Sequence, residues 1–389
     1  MASYIFHVIF LIVLNVYAQE QLYSTLTLVN TGSSTPIFPI PTMNWDDWDE
    51  KAPFELTAMG MRELYLLGHE LRRRYDEAKL LDASNLIEQV FFRMIAHDNA
   101  IQSGEAFLRG FLGNSQEHLS PQELEHASPP TKVKDYFNHT IGNRVLPLGF
   151  DTLPFNMRFP HNEDIFSPRY CSNANNLTWA SFLKNPEVNA TVRFHDKKFI
   201  ELVKSHYKVN ETYLKFPLYL PILESIYVTS NLYKDTELSA EELMLVENFT
   251  TNLYFAMRAG SNAANAFRSS PVLEYAGHFF DKIMRDIIVN PRRADNQKAE
   301  FVFTEDRMIA SLLSRLGFNV STPIPPSSIL SFEVSGPTNI NKIDEATVKL
   351  FYNDREVRIA NCGFPKCEYK NFLAVIDELK MIEVANWCK

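Results

Sequence analysis

Long hydrophobic segments are rare in this sequence. Apart from residues 1–18, no apolar stretch reaches the roughly 20 residues that a helix needs to cross a membrane. Residues 1–18 are themselves short and end in the small residue Ala18 before the chain turns polar. This pattern predicts a secretory signal peptide, so we expect a secreted or lumenal, for example endolysosomal, protein. The last residues, 386–389, carry no retention signal or lipid-anchor motif, and no transmembrane anchor is expected.

Concentrated charge is also scarce. The formal net charge is −9, and the basic run Arg72–Arg74 falls in a helical pattern that is typical of a solvated face. Nothing therefore indicates binding to nucleic acid or to an anionic membrane. Internal repeats and low-complexity tracts are absent too. The 389 residues, 46% of them hydrophobic, suffice for one large globular domain or two smaller ones.

Cysteine is limited to four residues, all in the predicted mature chain. An even number in a secretory protein predicts two disulfides, and four cysteines allow three pairings. The step of five residues from Cys362 to Cys367 can close a tight loop. We therefore expect the disulfides Cys362–Cys367 and Cys171–Cys388.

A zinc site is the alternative use of these cysteines. One pair is close in sequence, but no histidine lies near it. The group His161, Glu163 and Asp164 fits no recognised spacing of metal ligands either. We expect no metal and no cofactor.

N-glycosylation sequons are frequent, and five of the six lie between residues 138 and 248. This clustering indicates exposed loop surface in a secretory environment. The acceptors are Asn138, Asn176, Asn189, Asn210, Asn248 and Asn319.

The stretch from Leu26 to Pro36 is the first candidate for a site. Its residues up to Asn30 are apolar or β-branched and predict a buried strand, whereas Gly32 and Pro36 predict a loop. On its own this pattern is more typical of an ordinary turn after a strand than of a functional site. Ligands of open α/β sheets, however, bind beyond the carboxyl ends of the strands, so the loop is a site candidate.

Apolar periodicity predicts alternating helices and strands on both sides of a more polar middle region. We expect a helix from Ala58 to Arg74 with Thr57 as its cap, and a helix that opens at Pro271. Further predicted elements are a strand at 89–93, a helix at 99–112, a strand at 299–303 with a helix ended by Gly317, strands near 326–334 and 346–352, and a hairpin turn at 353–354.

Several motifs in the same order resemble those of histidine acid phosphatases, such as the prostatic and lysosomal enzymes. The phosphate-binding motif R-H-G-x-R-x-P of that family corresponds here to Asn30–Pro36, and L-T-x-x-G-M to Leu56–Met61. The family's R-S-T-D-x-x-R motif corresponds to Arg93–Asn99, and its H-D pair to Glu305-Asp306. The resemblance extends from about residue 22 to residue 388.

The resemblance implies an enzyme whose histidine forms a phosphohistidine, whose arginines hold the phosphate and whose aspartate protonates the leaving group. In this sequence the chemical residues are replaced. The arginine pair falls on Asn30 and Ser34, the nucleophile on Thr31, the later arginine on Asn99, the second histidine on Glu305, and the proton donor on Asp306.

These replacements remove three guanidinium charges and add one carboxylate. Two unit charges ~4 Å apart interact by roughly 4 kcal/mol at an effective dielectric near 20, so the affinity for an anion should fall sharply. We therefore expect a pseudoenzyme with a binding or structural role, whose site holds a neutral or cationic polar ligand. The alternatives are a divergent acid phosphatase that uses Thr31 or Asp306, and an interaction module with an empty pocket.

The resemblance also implies a fold. We expect an α/β phosphoglycerate mutase-like mixed sheet flanked by helices, formed by residues 19–113 and 251–389 after the signal peptide 1–18. The middle region, 114–250, is richer in proline, asparagine and charge, and we expect it to be a mainly helical cap. The partner is unknown, and a homodimer is compatible with the resemblance.

Overall fold

The structure is a computed structural model, and it describes residues 20–36, 53–113, 119–122, 153–158, 165–167, 172–233, 238–258, 262–289, 297–363 and 366–380. The described strands form one eight-stranded mixed sheet with the order β3-β2-β4-β1-β5-β6-β7, and β8 pairs with β6. The strands are β1 Glu20–Asn30, β2 Val90–Ile95, β3 Phe155–Arg158, β4 Ala299–Thr304, β5 Ile329–Pro337, β6 Thr347–Tyr352, β7 Arg355–Val357 and β8 Cys367–Glu368.

Ten α-helices are described in the same part of the chain. They are α1 Ala58–Glu77, α2 Leu86–Gln89, α3 Asp98–Leu112, α4 Ser172–Lys184, α5 Pro186–His206, α6 Leu220–Tyr233, α7 Ala240–Arg258, α8 Asn262–Val289, α9 Asp306–Arg315 and α10 Tyr369–Leu379. Short 3₁₀ turns lie at Ala83–Asn85, Glu211–Tyr213 and Ile340–Glu345.

Strands β3, β2, β4 and β1 are parallel, whereas β5, β6 and β7 run antiparallel to their neighbours. A parallel sheet needs helices on both faces, and both faces are covered. Helices α1 and α3 bury one apolar cluster against side chains such as Phe92 and Phe301. Helices α8, α9 and α10 bury another against Leu28 and Phe332. The result is the mixed α/β sheet flanked by helices that the sequence predicts.

Several predicted ends are confirmed by the backbone. The Thr57 hydroxyl accepts a hydrogen bond of 3.0 Å from the Gly60 N–H and caps α1. Gly317 takes φ +90° just after α9, where a left-handed residue ends the helix. The two-residue turn at Asn353 and Asp354 joins β6 to β7, and Asn353 has φ +54°.

The predicted start of a helix at Pro271 is wrong. Pro271 lies inside α8, which runs without a break from Asn262 to Val289. The proline removes one backbone hydrogen bond, but the helix is held by its buried face against the core. The hydroxyls of Ser269 and Ser270 also donate 2.6 Å hydrogen bonds to carbonyls one turn earlier.

A third apolar cluster belongs to the helices that follow β3 along the chain. Phe182 on α4, Phe199 on α5 and Phe249 on α7 are almost completely buried in it. Tyr219, just before α6, contacts the last two of these rings at centroid distances of 5.3 and 5.9 Å. These helices therefore have an apolar core of their own, separate from the two cores on the sheet.

Candidate functional site

The candidate site lies at the carboxyl ends of the parallel strands. Asn30 at the end of β1 is in register with Thr304 at the end of β4, and Met94 near the end of β2 is in register with Phe303. The Thr31 N–H donates a 3.2 Å hydrogen bond to the Thr304 carbonyl. The loop after β1 and the first turns of α3 and α9 therefore meet at one edge of the sheet.

Asn30 is 4% exposed and is held by the loop that precedes β5. Its side-chain Nδ2 donates a 2.8 Å hydrogen bond to the Pro325 carbonyl, and its backbone N–H donates one of 2.8 Å to the Ser328 carbonyl. The Thr31 carbonyl in turn accepts from the Ser327 N–H at 2.9 Å. The side-chain amide and the backbone N–H of Asn30 therefore both donate to acceptors within the protein.

The backbone amides of the loop after β1 are used in the same way. Four of them donate to protein acceptors, namely Thr31 to the Thr304 carbonyl at 3.2 Å, Gly32 to Ser103 Oγ at 3.1 Å, Ser33 to Glu63 Oε2 at 3.1 Å and Thr35 to the Glu55 carbonyl at 2.8 Å. An anion bound by a loop needs free N–H donors. These four amides do not supply them.

Glu63 on α1 accepts hydrogen bonds that hold the loop after β1 in place. Both of its carboxylate oxygens accept hydrogen bonds from serine hydroxyls, Oε1 from Ser33 at 2.7 Å and Oε2 from Ser327 at 3.0 Å. Glu63 adds a further negative charge to this edge of the sheet. Such bonds to an ionised acceptor are stronger than neutral ones.

The two glycines of the matched motifs are required by packing. A Cβ atom on Gly32 would lie 2.8 Å from the Gly60 carbonyl oxygen, and one on Gly60 would collide with the Ser33 carbonyl oxygen. The loop after β1 and the first turn of α1 therefore touch through their backbones. This contact explains the presence of glycine at both positions without any catalytic role.

Ser34 and Asn99 are the residues that the motif resemblance assigns to the remaining arginines of the family. The Ser34 hydroxyl donates a 2.9 Å hydrogen bond to the Gly32 carbonyl within its own loop. Asn99, in the first turn of α3, is 1% exposed, and neither atom of its amide has a partner among the described residues. Ser103, which contacts Gly32, lies one turn further on the same face of α3. Asn99 is therefore on the face of α3 that meets the loop.

A histidine that the motif comparison does not assign lies at the same edge. His97 Nδ1 is 2.7 Å from Glu305 Oε1, and both side chains are largely buried. Each residue is the N-cap of its helix, His97 of α3 and Glu305 of α9, yet neither side chain caps its own helix. The imidazole and the carboxylate instead pair with each other across the ends of β2 and β4.

Asp306 is engaged by a residue from a distant helix. Its Oδ2 accepts a 2.7 Å hydrogen bond from the Tyr254 hydroxyl on α7, and its Oδ1 accepts from the Arg307 N–H at 2.6 Å. The Tyr254 oxygen also accepts from the Ile324 N–H at 3.3 Å. Both carboxylate oxygens of Asp306 are therefore acceptors for protein donors. Tyr254 gives no signal in the sequence that would place it here.

Arg93, which matches the family motif, lies deeper in the sheet. Its Nε is 3.2 Å from Glu300 Oε1, and Tyr275 donates a 2.6 Å hydrogen bond to Glu300 Oε2. Burial raises the pKa of Glu300, although the Arg93 charge opposes this shift. Burial and the neighbouring Glu300 charge also raise the pKa of Tyr275. Arg93 is therefore engaged by Glu300 and Tyr275 within the body of the sheet.

The predicted disulfide Cys362–Cys367 is present. Cys171 and Cys388 lie outside the described residues, and so does the sequon at Asn138. The other five sequon asparagines are exposed: Asn176, Asn189, Asn210, Asn248 and Asn319. Glycosylation of these residues remains a prediction.

No helix among the described residues is long and apolar enough to span a membrane. No group of three or more histidine, cysteine, aspartate and glutamate side chains in the same residues is arranged to hold a metal ion. His161, Glu163 and Asp164, which are not expected to bind a metal, lie outside the described residues.

Comparison with solved structures defines the class of fold. The chain is similar to a phytase from Hafnia alvei solved with tartrate, with 14% identity, a TM-score of 0.61 and coverage of 94% of this chain and 99% of the other. A phytase from Citrobacter braakii gives 15% identity, a TM-score of 0.61 and coverage of 94% and 99%. A multiple inositol polyphosphate phosphatase from Bifidobacterium longum, solved with inositol hexasulfate, gives 11% identity, a TM-score of 0.55 and coverage of 94% of each chain. At these identities the likeness shows a shared fold.

The family follows from the sequence itself. Residues 28–345 match the model of the histidine phosphatase superfamily, branch 2. This chain belongs to that family, as its resemblance to histidine acid phosphatases implies. A comparison with proteins of curated function gives no match.

Proposed function

We propose that this chain is a secreted or lumenal pseudophosphatase that does not hydrolyse phosphate monoesters and binds a neutral or cationic polar ligand at the end of its sheet. The single observation that carries the proposal is the hydrogen bonding of the loop after β1. Four of its backbone N–H groups and the Asn30 side-chain amide donate to protein acceptors, and Glu63 places a carboxylate against the loop. A transferring phosphoryl group needs positive charge or N–H donors on its oxygens.

The state of Asp306 supports the same proposal. A general acid must present its proton to the leaving group. Both oxygens of Asp306 accept hydrogen bonds instead, from Tyr254 and from the Arg307 N–H. Thr31, at the position of the nucleophile, offers a hydroxyl, which is a weak nucleophile unless a base activates it.

A release assay tests the proposed loss of activity. Purified protein is incubated with p-nitrophenyl phosphate between pH 4 and 7, and we expect no release above that of an Asp306→Ala variant. A rate that disappears in Asp306→Ala would show an active phosphatase. Calorimetry with tartrate and with small amines then tests the ligand class, and we expect the amines to bind more tightly.

A divergent hydrolase is the second candidate function, and the His97–Glu305 pair favours it. The His97 Nδ1 lies 2.7 Å from the Glu305 carboxylate, and a carboxylate at that nitrogen is the partner that orients a general-base histidine. Thr31 lies at the same edge of the sheet and would be the hydroxyl that such a base activates. Phosphate release that is lost in both His97→Gln and Thr31→Ala would favour this candidate over the first.

We also propose the division of the chain into a body, 19–113 and 251–389, and a helical cap, 114–250. The separate apolar core of α4, α5, α6 and α7 supports this division. Helix α7 extends to Arg258, beyond the proposed boundary, and its Tyr254 contacts Asp306. Passage through the secretory pathway is supported by the apolar residues 1–18, by the disulfide Cys362–Cys367 and by the exposed sequons.

A further inference from the structure

Helix α4 presents an unusual combination of exposed residues on one face. Asn176, Trp179 and Leu183 follow one another at steps of three and four residues, which places them in one stripe along the helix. Asn176 is exposed, Trp179 is 41% exposed and Leu183 is 36% exposed. A glycosylation acceptor therefore heads a stripe of exposed apolar surface.

The position of the Trp179 ring fits this stripe. The ring of Trp179 stacks on Phe182 at a centroid distance of 5.6 Å and an interplanar angle of 24°. Phe182 is 1% exposed and belongs to the apolar core of these helices, so it anchors the indole from the carboxyl-terminal side. Side chains on a helix lean toward its amino terminus. This lean directs the indole toward Asn176.

Helix α4 has few charged residues that could offset the exposed apolar surface of this stripe. Its sequence, SNANNLTWASFLK, contains a single charged residue, Lys184 at the last position. Exposed aromatic surface without nearby charge favours association. A glycan on Asn176 would supply a polar cover.

We propose that an N-linked glycan on Asn176 folds back onto Trp179 and covers the stripe Asn176–Trp179–Leu183. The proposal rests on the proposed passage through the secretory pathway. There the Asn176 Nδ2 takes C1 of N-acetylglucosamine from a lipid-linked pyrophosphate oligosaccharide, and the lipid pyrophosphate and a proton are released. The apolar C–H face of the first sugars packs on the negative face of the indole ring.

The spacing along the helix suits the first two sugars. At 1.5 Å per residue, Trp179 lies ~4.5 Å and Leu183 ~10 Å along the axis from Asn176. Asn189 on α5 is a matched control, because it is also an exposed acceptor in a helix. The residues one turn beyond it are Val192 and Arg193, neither of them aromatic.

The test uses the full chain secreted from a glycosylating eukaryotic host. Mass spectrometry should find Asn176 occupied. In Asn176→Gln the thermal midpoint should fall and the fluorescence of a dye that binds exposed apolar surface should rise, whereas Asn189→Gln should change neither. In a Trp179→Gln background, removal of the Asn176 glycan should have no further effect. If Trp179→Gln does not fold, complete enzymatic removal of the wild-type glycan should change both readouts as Asn176→Gln does, whereas trimming it to its first two sugars should leave both nearly unchanged.

The outcomes separate this proposal from the one on which it rests. Equal effects of Asn176→Gln in the two backgrounds, or an equal effect of Asn189→Gln, would overturn the contact between glycan and indole. An unoccupied Asn176 beside other occupied sequons would overturn it as well and would leave the secretory proposal intact. Unmodified asparagine at every sequon would contradict both.

Discussion

His97 Nδ1 lies 2.7 Å from Glu305 Oε1, so the pair joins the ends of two neighbouring strands, β2 and β4, at the edge of the sheet that holds the candidate site. The motif resemblance assigns Glu305 to the position of the family's second histidine. The imidazole at this edge comes instead from the end of β2, and it lies against the Glu305 carboxylate.

The first prediction concerns the strength of this pair. A double-mutant cycle with His97→Ala and Glu305→Ala should give a coupling of about 0.5–3 kcal/mol in the free energy of unfolding, because both groups are largely buried. Urea unfolding measures it. The pair Lys197–Glu201, whose side chains are 88% and 66% exposed, is the control and should couple by less than about 0.5 kcal/mol. Equal coupling in the two cycles would contradict the prediction.

The second prediction concerns Asn99. Its buried amide has no partner among the described residues, and an unsatisfied buried polar group costs about 1–3 kcal/mol. Asn99→Leu should therefore raise the free energy of unfolding by roughly 1 kcal/mol. Ser103→Ala, one turn away on the same helix, should lower it by about 1 kcal/mol, because the Gly32 N–H loses its acceptor. A strongly destabilised Asn99→Leu would show that the amide has a ligand or water partner.

The third prediction concerns the support of the loop after β1. Glu63 accepts hydrogen bonds from the Ser33 N–H, the Ser33 hydroxyl and the Ser327 hydroxyl. Glu63→Ala should therefore increase hydrogen exchange of the Ser33 amide and lower the free energy of unfolding by about 2 kcal/mol. Glu77→Ala is the control on the same helix, where Glu77 forms an exposed pair with Arg73. We expect it to leave exchange in the loop unchanged.

The fourth prediction concerns pH. Burial raises the folded-state pKa of Glu300 above its ordinary value of 4.5, so the folded protein holds this proton more tightly than the unfolded chain does. The stabilisation is present below pH 4.5 and is lost as the pH rises toward the raised value. The stability of Glu300→Gln relative to that of the wild type should therefore increase as the pH rises from 4 to 7. Thermal midpoints of both proteins across this range measure the difference, and a constant difference would contradict the assignment.

Much of the fold is present in local patterns of the sequence. Period-3.6 apolar spacing and the Thr57 cap predict α1, and β-branched residues predict β1, because these signals depend on neighbours along the chain. Pro271 shows the limit of this reasoning. A proline usually starts a helix, but here tertiary packing carries α8 through it.

The sequence predicts which candidate residues lie at one edge of the sheet, but not the contacts that they make. The order of motifs brings Asn30, Asn99 and Glu305 to one edge, as the strand register shows. The partner of Glu305 is 208 residues away in sequence, and that of Asp306 is 52 residues away on α7. No local pattern encodes such pairs. His97 is visible in the sequence between Ala96 and Asp98, and its position directly after β2 is the signal that could have suggested it.

The most direct test of the central claim is calorimetry with inorganic phosphate at pH 5 on the wild type and on a variant with Asn30→Arg, Ser34→Arg and Asn99→Arg. We predict no measurable binding to the wild type and binding to the triple variant, because only the variant offers guanidinium donors at these positions. Tight binding of phosphate to the wild type, lost in Asn30→Ala, would contradict the account.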